Sequence, residues 1–473
     1  MPRTRIVSTL GPATDRPGVL RDVLEAGTDV VRLNASHGTR DEHRNRIDAV
    51  RRIGPEIGRP IGILLDLQGP KIRVGDLPLA GVSLVEGAPF ILTNRLNASG
   101  PALATVDYEP LPREVVAGAV LLLDDGNLRL RVEGTNGRDI ACIVERGGVL
   151  KSNKGINAPG AALTAAALTE KDRADAAFGV AQGVDFLALS FVRRAGDVEE
   201  LRRIAGSTAI VAKIERPEAL GEIEGILRAA DAIMVARGDL GVEIPLEQVP
   251  HVQRQLLLAA NRAGKPAITA TQMLESMVTH PRPTRAEATD VHVAVMQLTD
   301  AVMLSAETAV GAYPGDAVRA MAKIAAAAES EPDLLGAQRA WTDVARDPTE
   351  AVAQAACEIA HELGARAIVC STSSGFTPRM VAKYRSQVLI VALAYDERVR
   401  RRLTLTWGVE PLSSPPIRGT DEMIAVATRL VVKAGVAKPG EMVVITAGVP
   451  VGTPGYTNLI KVHTLGDAAT SGI

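Results

Sequence analysis

Short apolar runs, each followed by an amphipathic stretch, recur along this chain, and that rhythm constrains the fold more than any other feature. Eight runs stand out: Arg5–Thr9, Val30–Asn34, Ile61–Asp66, Phe186–Phe191, Ala209–Ile214, Ala232–Val235, Ala267–Ala270 and Ala301–Leu304. A run of about four to eight apolar residues reads as a strand buried on both faces, as in a parallel sheet covered by helices. The stretches between them carry helical stripes: Val19, Leu20, Val23 and Leu24; Ile47, Val50 and Ile53; Val198, Leu201 and Ile204; Leu220, Ile223 and Leu227; Val252, Leu256 and Ala260. Asp197 is expected to cap one of these helices, and Thr169, with Asp172 three residues on, to cap another. Eight repeats favour closure into a parallel (β/α)8 barrel, the TIM-barrel architecture, although an open doubly wound sheet has the same periodicity.

The rhythm breaks between Gly69 and about Gly160. Segments there are short and β-like, such as Val120–Leu123, Leu128–Val132 and Ile140–Val144, and Asp124–Asp125–Gly126–Asn127 reads as a hairpin turn. A small β-barrel domain inserted after the third strand would overhang the mouth of the barrel and close over it. From Asp347 onward a second α/β unit is expected, with strands at Ala367–Cys370, Val388–Ala392 and Met442–Thr446 and helices at Glu350–Leu363 and Asp421–Ala434. The division expected is thus 1–68 and 161–340 for the barrel, 69–160 for the insert and 347–473 for the last domain.

Composition excludes several functions. A net charge of -2 argues against nucleic acid as the partner. Cys142, Cys357 and Cys370 lie far apart, with no CxxC pair, so a zinc centre is not expected and the thiols fit a reducing cytoplasm. No apolar run is long enough for a membrane span, and the start has no signal-like stretch. Aromatics are only 3%, so the core must be aliphatic.

In a barrel the C-terminal ends of the strands build the site. Arg32, Asn34 and Ser36 alternate along the second strand and share one side. Lys213 and Glu215 share a side of the fifth; an unpaired lysine there would be costly, so a structural Lys–Glu pair is as good an explanation as a functional one. Asp239 follows the sixth strand in a Gly/Asp turn, and with Glu215 offers two carboxylates suited to Mg2+ or Mn2+. Thr271 follows the seventh strand, and Ser305, with Glu307 and Thr308, the eighth. Arg32, Lys213 and Arg73 around a metal pair form the charge pattern that phosphoryl transfer requires. No GxxxxGK[ST] loop or kinase-type glycine loop is present, so a nucleotide must be held in another way.

Nine stretches, in order, resemble the pyruvate kinase family: IVSTLGPAT near the start, VVRLNASHG (30–38), LLDLQGPKIRVG (64–75), KGINAPG (154–160), KIERPEAL (213–220), IMVARGDLGVEIP (233–245), ITATQMLESM (268–277), PRPTRAEATDV (281–291) and DAVMLSAETAVG (300–311). The resemblance implies the same three-part organisation and the last phosphoryl transfer of glycolysis, from phosphoenolpyruvate to ADP. It assigns Arg32 and Lys213 to the migrating phosphoryl group, and Glu215 and Asp239 to Mg2+. Gly238, Asp239 and Thr271 would hold the substrate carboxylate, and Asn34, Ser36, His37, Arg73 and Lys154 the nucleotide. The proton donor would lie near Thr271 and Ser305. One departure matters: Lys71 stands where many members carry a glutamate and bind K+. Activity without K+ is expected, with Asn34, Ser36 and Asp66 as a vestigial site. Ser371, Thr372, Ser373, Ser374 and Gly375 match the family's effector loop for sugar phosphates or AMP, but equally suit a plain strand–helix turn. A homotetramer is implied by resemblance alone. The rival readings are a Mg2+-dependent aldolase or lyase of the phosphoenolpyruvate/pyruvate barrel group, and a non-catalytic metabolite sensor.

Overall fold

The computed structural model describes residues 2–96, 98, 100–161, 163–331, 347–450 and 455–466. The expected barrel end at residue 340 and the last residues, 467–473, lie outside them. Strands β1 (Arg5–Thr9), β2 (Val30–Asn34) and β3 (Gly62–Asp66) precede an insertion holding β4 to β11. Then follow β12 (Phe186–Leu189), β13 (Ala209–Ile214), β14 (Ala232–Ala236), β15 (Ala267–Ala270) and β16 (Ala301–Leu304). These eight close into a parallel barrel, β16 pairing β1 from Arg5↔Ala301 to Ser8↔Leu304. Closure removes the open-sheet alternative.

Strand alternation sorts the side chains. Val7, Val30, Leu64, Phe186, Val211, Met234, Ile268 and Met303 pack together inside the barrel. Val31, Leu33, Ile63, Leu65, Ile210 and Ala212 face the helices. Because the period is two, Arg32 shares the parity of Val30, Asp66 that of Leu64 and Lys213 that of Val211. The apolar plug and the charged mouth are therefore successive layers of one inward face.

The insertion has its own core, including Val74, Phe90, Leu92, Leu121, Leu130 and Val132. It contains a six-stranded sheet in the order β11 (Ile156–Asn157), β7 (Val120–Leu123), β8 (Leu128–Thr135), β9 (Asp139–Arg146), β5 (Pro89–Thr93), β6 (Leu103–Thr105). A ribbon of β4 (Val82–Leu84) and β10 (Gly148–Leu150) completes it. The chain enters through Gly69, whose φ of 71° and close approach to Ser190 and Phe191, 2.8 Å from a would-be Cβ, leave no room for a side chain. The 124–127 turn joins β7 to β8, as expected, with Asp124 and Asp125 both at positive φ.

The C-terminal sheet runs β19 (Val409–Ser413), β18 (Leu389–Ala394), β17 (Ala367–Thr372), β20 (Met442–Ala447), β21 (Leu459–Thr464), the last antiparallel. Its segment Leu403–Leu405 seals the barrel floor, where Leu405 joins the interior plug. Two local expectations are corrected. Asp197 lies one turn inside its helix, accepting from the backbone N–H groups of Arg193 and Arg194, while Arg194 takes the cap position. The Gly/Asp turn after β14 is instead a helix, Arg237–Glu243. Thr169 does cap its helix reciprocally with Asp172.

Candidate active site

The inward residues at the strand ends meet in one charge network. Arg32 Nε donates to Asp66 Oδ2 at 2.7 Å, and Lys213 Nζ lies 3.1 Å from Asp66 Oδ1 and 3.1 Å from Glu215 Oε1. Lys213 also donates to Ser190 Oγ at 2.8 Å, and Arg32 to Thr9 Oγ1 at 3.1 Å. Lys213 on β13 and Glu215 just beyond its end thus form the ion pair that was one of the two explanations open for them. That pair is not self-contained, because Asp66 bridges it to Arg32.

Electrostatics outweigh burial at two members of this network, Asp66 and Lys213. Desolvation opposes the charge on Asp66, but Lys213 and Arg32 outweigh it and hold the carboxyl below its ordinary range. Desolvation likewise opposes the Lys213 ammonium, and Asp66 and Glu215 outweigh it, so its pKa is raised. Glu215 behaves differently: burial dominates and Asp239 adds repulsion, so its pKa is raised despite Lys213 and a 2.7 Å bond from the Phe191 N–H. Two carboxylates that repel each other in a buried place gain from a shared cation. Glu215 and Asp239 therefore fit a divalent ion, with oxygen donors only, as Mg2+ prefers. Among the described residues no group of three or more His, Cys, Asp or Glu could hold a metal, so remaining coordination positions would fall to substrate and water.

Lys71 comes from the insertion. Its Nζ lies 3.3 Å from Asp239 Oδ1 and 3.5 Å from Asp125 Oδ1. Gly155 makes room for it, since a Cβ there would sit 2.7 Å from Lys71 Cε. Burial opposes its charge, and Asp239 and Asp125 outweigh that and raise its pKa. Lys71 makes no ion pair with Asp66, whose two oxygens are taken by Arg32 and Lys213. Ser36 N–H donates to Asn34 Oδ1 at 3.1 Å, and His37 offers its carbonyl to His43 Nε2 at 3.0 Å.

Thr271 and Gln272 turn at positive φ, 69° and 54°, directly after β15. Thr271 Oγ1 accepts from Gly238 N–H at 2.8 Å, which brings together two residues expected at the substrate carboxylate. Ser305 follows β16, its N–H held by the buried Glu307 carboxylate at 2.7 Å. Glu307 also accepts from Leu274 N–H at 3.0 Å, so it braces two of the loops. Arg73 donates to Asn153 O at 2.9 Å, and Lys154 pairs with Asp124 at 2.6 Å. These cations lie on the insertion and not in the Arg32–Lys213 network.

Three contributors were missed by sequence reasoning. Ser190 looked like the end of an apolar strand. Asp66 entered only as a vestigial K+ ligand. Arg237 donates to Thr271 O at 2.7 Å and pairs with Asp290 at 2.6 Å, so it braces the Thr271 turn. An arginine directly after a buried apolar strand was the available signal.

The loop after β17 faces a separate cleft lined by Ser371, Thr372, Ser373, Ser374, Tyr395 and Tyr456 among others. Gly375 N–H donates to Thr372 Oγ1 at 2.8 Å, and the following helix starts at Phe376.

A closed eight-stranded barrel with charged groups and an oxygen-only acid pair at its mouth has the build of a barrel enzyme that acts on anionic substrates. Residues 1–318 match the model of the pyruvate kinase barrel domain, and residues 350–463 that of the pyruvate kinase alpha/beta domain. The chain belongs to the pyruvate kinase family. It is 46% identical over 480 residues to a pyruvate kinase of Geobacillus stearothermophilus, spanning 99% of this chain and 81% of that protein. It is 43% identical over 469 residues to a pyruvate kinase of Mycobacterium tuberculosis (strain ATCC 25618 / H37Rv), spanning 98% and 99%. Pyruvate kinase 2 of Synechocystis is 45% identical over 470 residues, spanning 98% of this chain and 79% of that protein.

Proposed function

We propose that this chain transfers the phosphoryl group of phosphoenolpyruvate to ADP, giving pyruvate and ATP, with Mg2+ as cofactor. The observation that carries the reading is the convergence of Arg32 and Lys213 on Asp66 beside the Glu215–Asp239 pair. Glu215 and Asp239 would hold the divalent ion, which would supply positive charge for the transfer. Arg32 and Lys213 then flank the phosphoryl group and offset the charge spread over it during transfer. A terminal oxygen of ADP forms the new bond to phosphorus as the enol oxygen leaves. The resulting enolate takes a proton at carbon, through water near Thr271 and Ser305. Gly238 and Thr271 orient the substrate carboxylate, while Arg73, Lys154 and the Asn34–His37 stretch serve the nucleotide.

Residues 1–68 and 161–340 would carry the chemistry, 69–160 would close over it, and 347–473 would serve regulation and subunit contact. Lys71, an ammonium beside Asp239, supports turnover without K+. The Ser371–Gly375 loop would take a sugar-phosphate or AMP effector. A cytoplasmic homotetramer completes the proposal; no helix among the described residues is long and apolar enough to cross a membrane.

The test is pyruvate formation by the purified chain, coupled to lactate dehydrogenase, with ADP, Mg2+ and phosphoenolpyruvate each omitted in turn. Formation that requires all three is expected. Pyruvate released without ADP would favour the lyase reading, and none at all the sensor reading.

A further inference from the structure

Away from the mouth, on the opposite side of the barrel, the C-terminal domain meets the loops that precede the strands. Three cations gather there with no acidic side chain to pair them. Lys265 precedes β15 and gives its ammonium only to Ala230 O, at 2.7 Å. Arg379, on the helix Phe376–Ala382, makes a single long contact, 3.4 Å to Ser374 O. Arg402 donates to Ser207 O across the domain boundary. Among the described residues none of the three makes an ion pair, and the buried Nε atoms of both Arg379 and Arg402 have no partner.

The one carboxylate whose field reaches all three is Asp231. It is already engaged, by Arg202 at 2.5 Å and by the Ile210 N–H at 2.8 Å. Arg202, Lys265, Arg379 and Arg402 therefore draw on Asp231 together, and the other two acids that reach Arg402, Asp185 and Asp396, are paired with Arg401 and Arg398. Other acids nearby are spent as well: Asp300 is held by Arg385 at 2.9 Å, and Glu350 by Lys383 at 2.7 Å. Burial lowers the pKa of Lys265, Arg379 and Arg402 alike, and Arg379 is further disfavoured by Arg402. Lys265 and Arg379 line one narrow cleft between the two domains, bordered also by Lys383 and by Asp300, the carboxylate that Arg385 holds; Arg402 lies outside that lining.

A buried, unpaired guanidinium edge is expensive. Two such edges and an ammonium gathered at one seam call for an acceptor with several oxygens. A carboxylate presents two oxygens in a plane, whereas a tetrahedral oxyanion presents acceptors to three directions at once. We propose that this interdomain seam binds a phosphate-sized oxyanion between Lys265, Arg379 and Arg402. The site is separate from the cleft of the Ser371–Gly375 loop, whose lining holds no charged side chain among the described residues. Arg379 nevertheless touches the Ser374 carbonyl, so an anion in the seam would pull on the back of that loop.

The experiment is thermal unfolding of the full chain in inorganic phosphate against chloride at matched ionic strength, repeated with a hexose monophosphate. Phosphate at tenfold its dissociation constant should raise the wild-type midpoint by on the order of 1–2 °C. Lys265→Met and Arg402→Met should each lose most of that rise, while Ser373→Ala, in the neighbouring loop, keeps it. Lys265→Gln guards against a variant that packs badly. A rise lost in Ser373→Ala but kept in the cation variants would overturn the proposal, placing the anion at the loop. So would no rise in wild type, or a rise with the sugar phosphate alone.

Discussion

The barrel mouth and the C-terminal cleft occupy equivalent places: both lie at the carboxyl ends of parallel strands, where open backbone groups and loops converge. Their contents differ. The mouth holds Arg32, Lys213 and Lys71 against Asp66, Glu215 and Asp239, with Asp66 and Glu215 almost fully buried. The C-terminal cleft offers hydroxyls from Ser371, Thr372, Ser373 and Ser374 and, among the described residues, no charged side chain in its lining. Charges fixed by strands in a dry place stabilise charge that moves during a reaction. Neutral hydroxyls on a loop hold a ligand without that provision, which suits reversible regulation better than chemistry.

The largest effect expected from breaking this contrast is at the acid pair. Glu215→Gln should lower turnover by about 10³-fold at saturating Mg2+ and weaken Mg2+ binding, read from steady-state rates against metal concentration.

Next comes Asp66. Its carboxyl is held below the ordinary range because Lys213 and Arg32 outweigh burial. Its contribution to stability is therefore present above the unfolded-state pKa and is lost as pH falls through the lower folded value. Asp66→Asn should cost about 3 kcal/mol at pH 7, since two buried cations lose their partner. The difference from wild type should shrink below about pH 4 in denaturant titrations across pH. A gap that widens on acidification would contradict the sign.

Lys71→Glu should cut the K+-free rate by about tenfold, with KCl restoring part of it, if one unit of nearby positive charge is what Lys71 contributes. The smallest effect belongs to the other cleft. Ser373→Ala should leave unstimulated turnover near wild type and weaken the response to a sugar phosphate or AMP by about three- to tenfold, the value of one or so hydrogen bonds. An equally large drop in unstimulated turnover would erase the contrast between the two clefts.

Much of this was legible because strand parity is a local property. Eight apolar runs marked the eight barrel strands, and parity grouped Arg32 with Asn34 and Ser36, and Lys213 with Glu215, each set on one side of its strand. What could not be read depends on contacts between distant segments. The fourth run was expected to reach Phe191, but β12 stops at Leu189: Phe191 turns to φ 55° and gives its N–H to Glu215, 24 residues on. The helix Arg237–Glu243 was hidden because two glycines in seven residues read as a turn, while Leu240 and Glu243 bury it in place. Strand β19 carries Pro411, and β21 keeps three of its six residues half-buried and two exposed, so neither showed an apolar run. The Lys71–Asp239 pair spans 168 residues and crosses from insertion to barrel, beyond any local pattern.

The account turns on Lys213 acting on the migrating phosphoryl group and not merely neutralising Asp66. The direct measurement is kcat and the KM for phosphoenolpyruvate in Lys213→Met, with circular dichroism and thermal unfolding confirming a folded chain. A fall in kcat of at least about 10²-fold with KM changed less than about fivefold is predicted. A folded Lys213→Met protein within tenfold of wild-type kcat would contradict it.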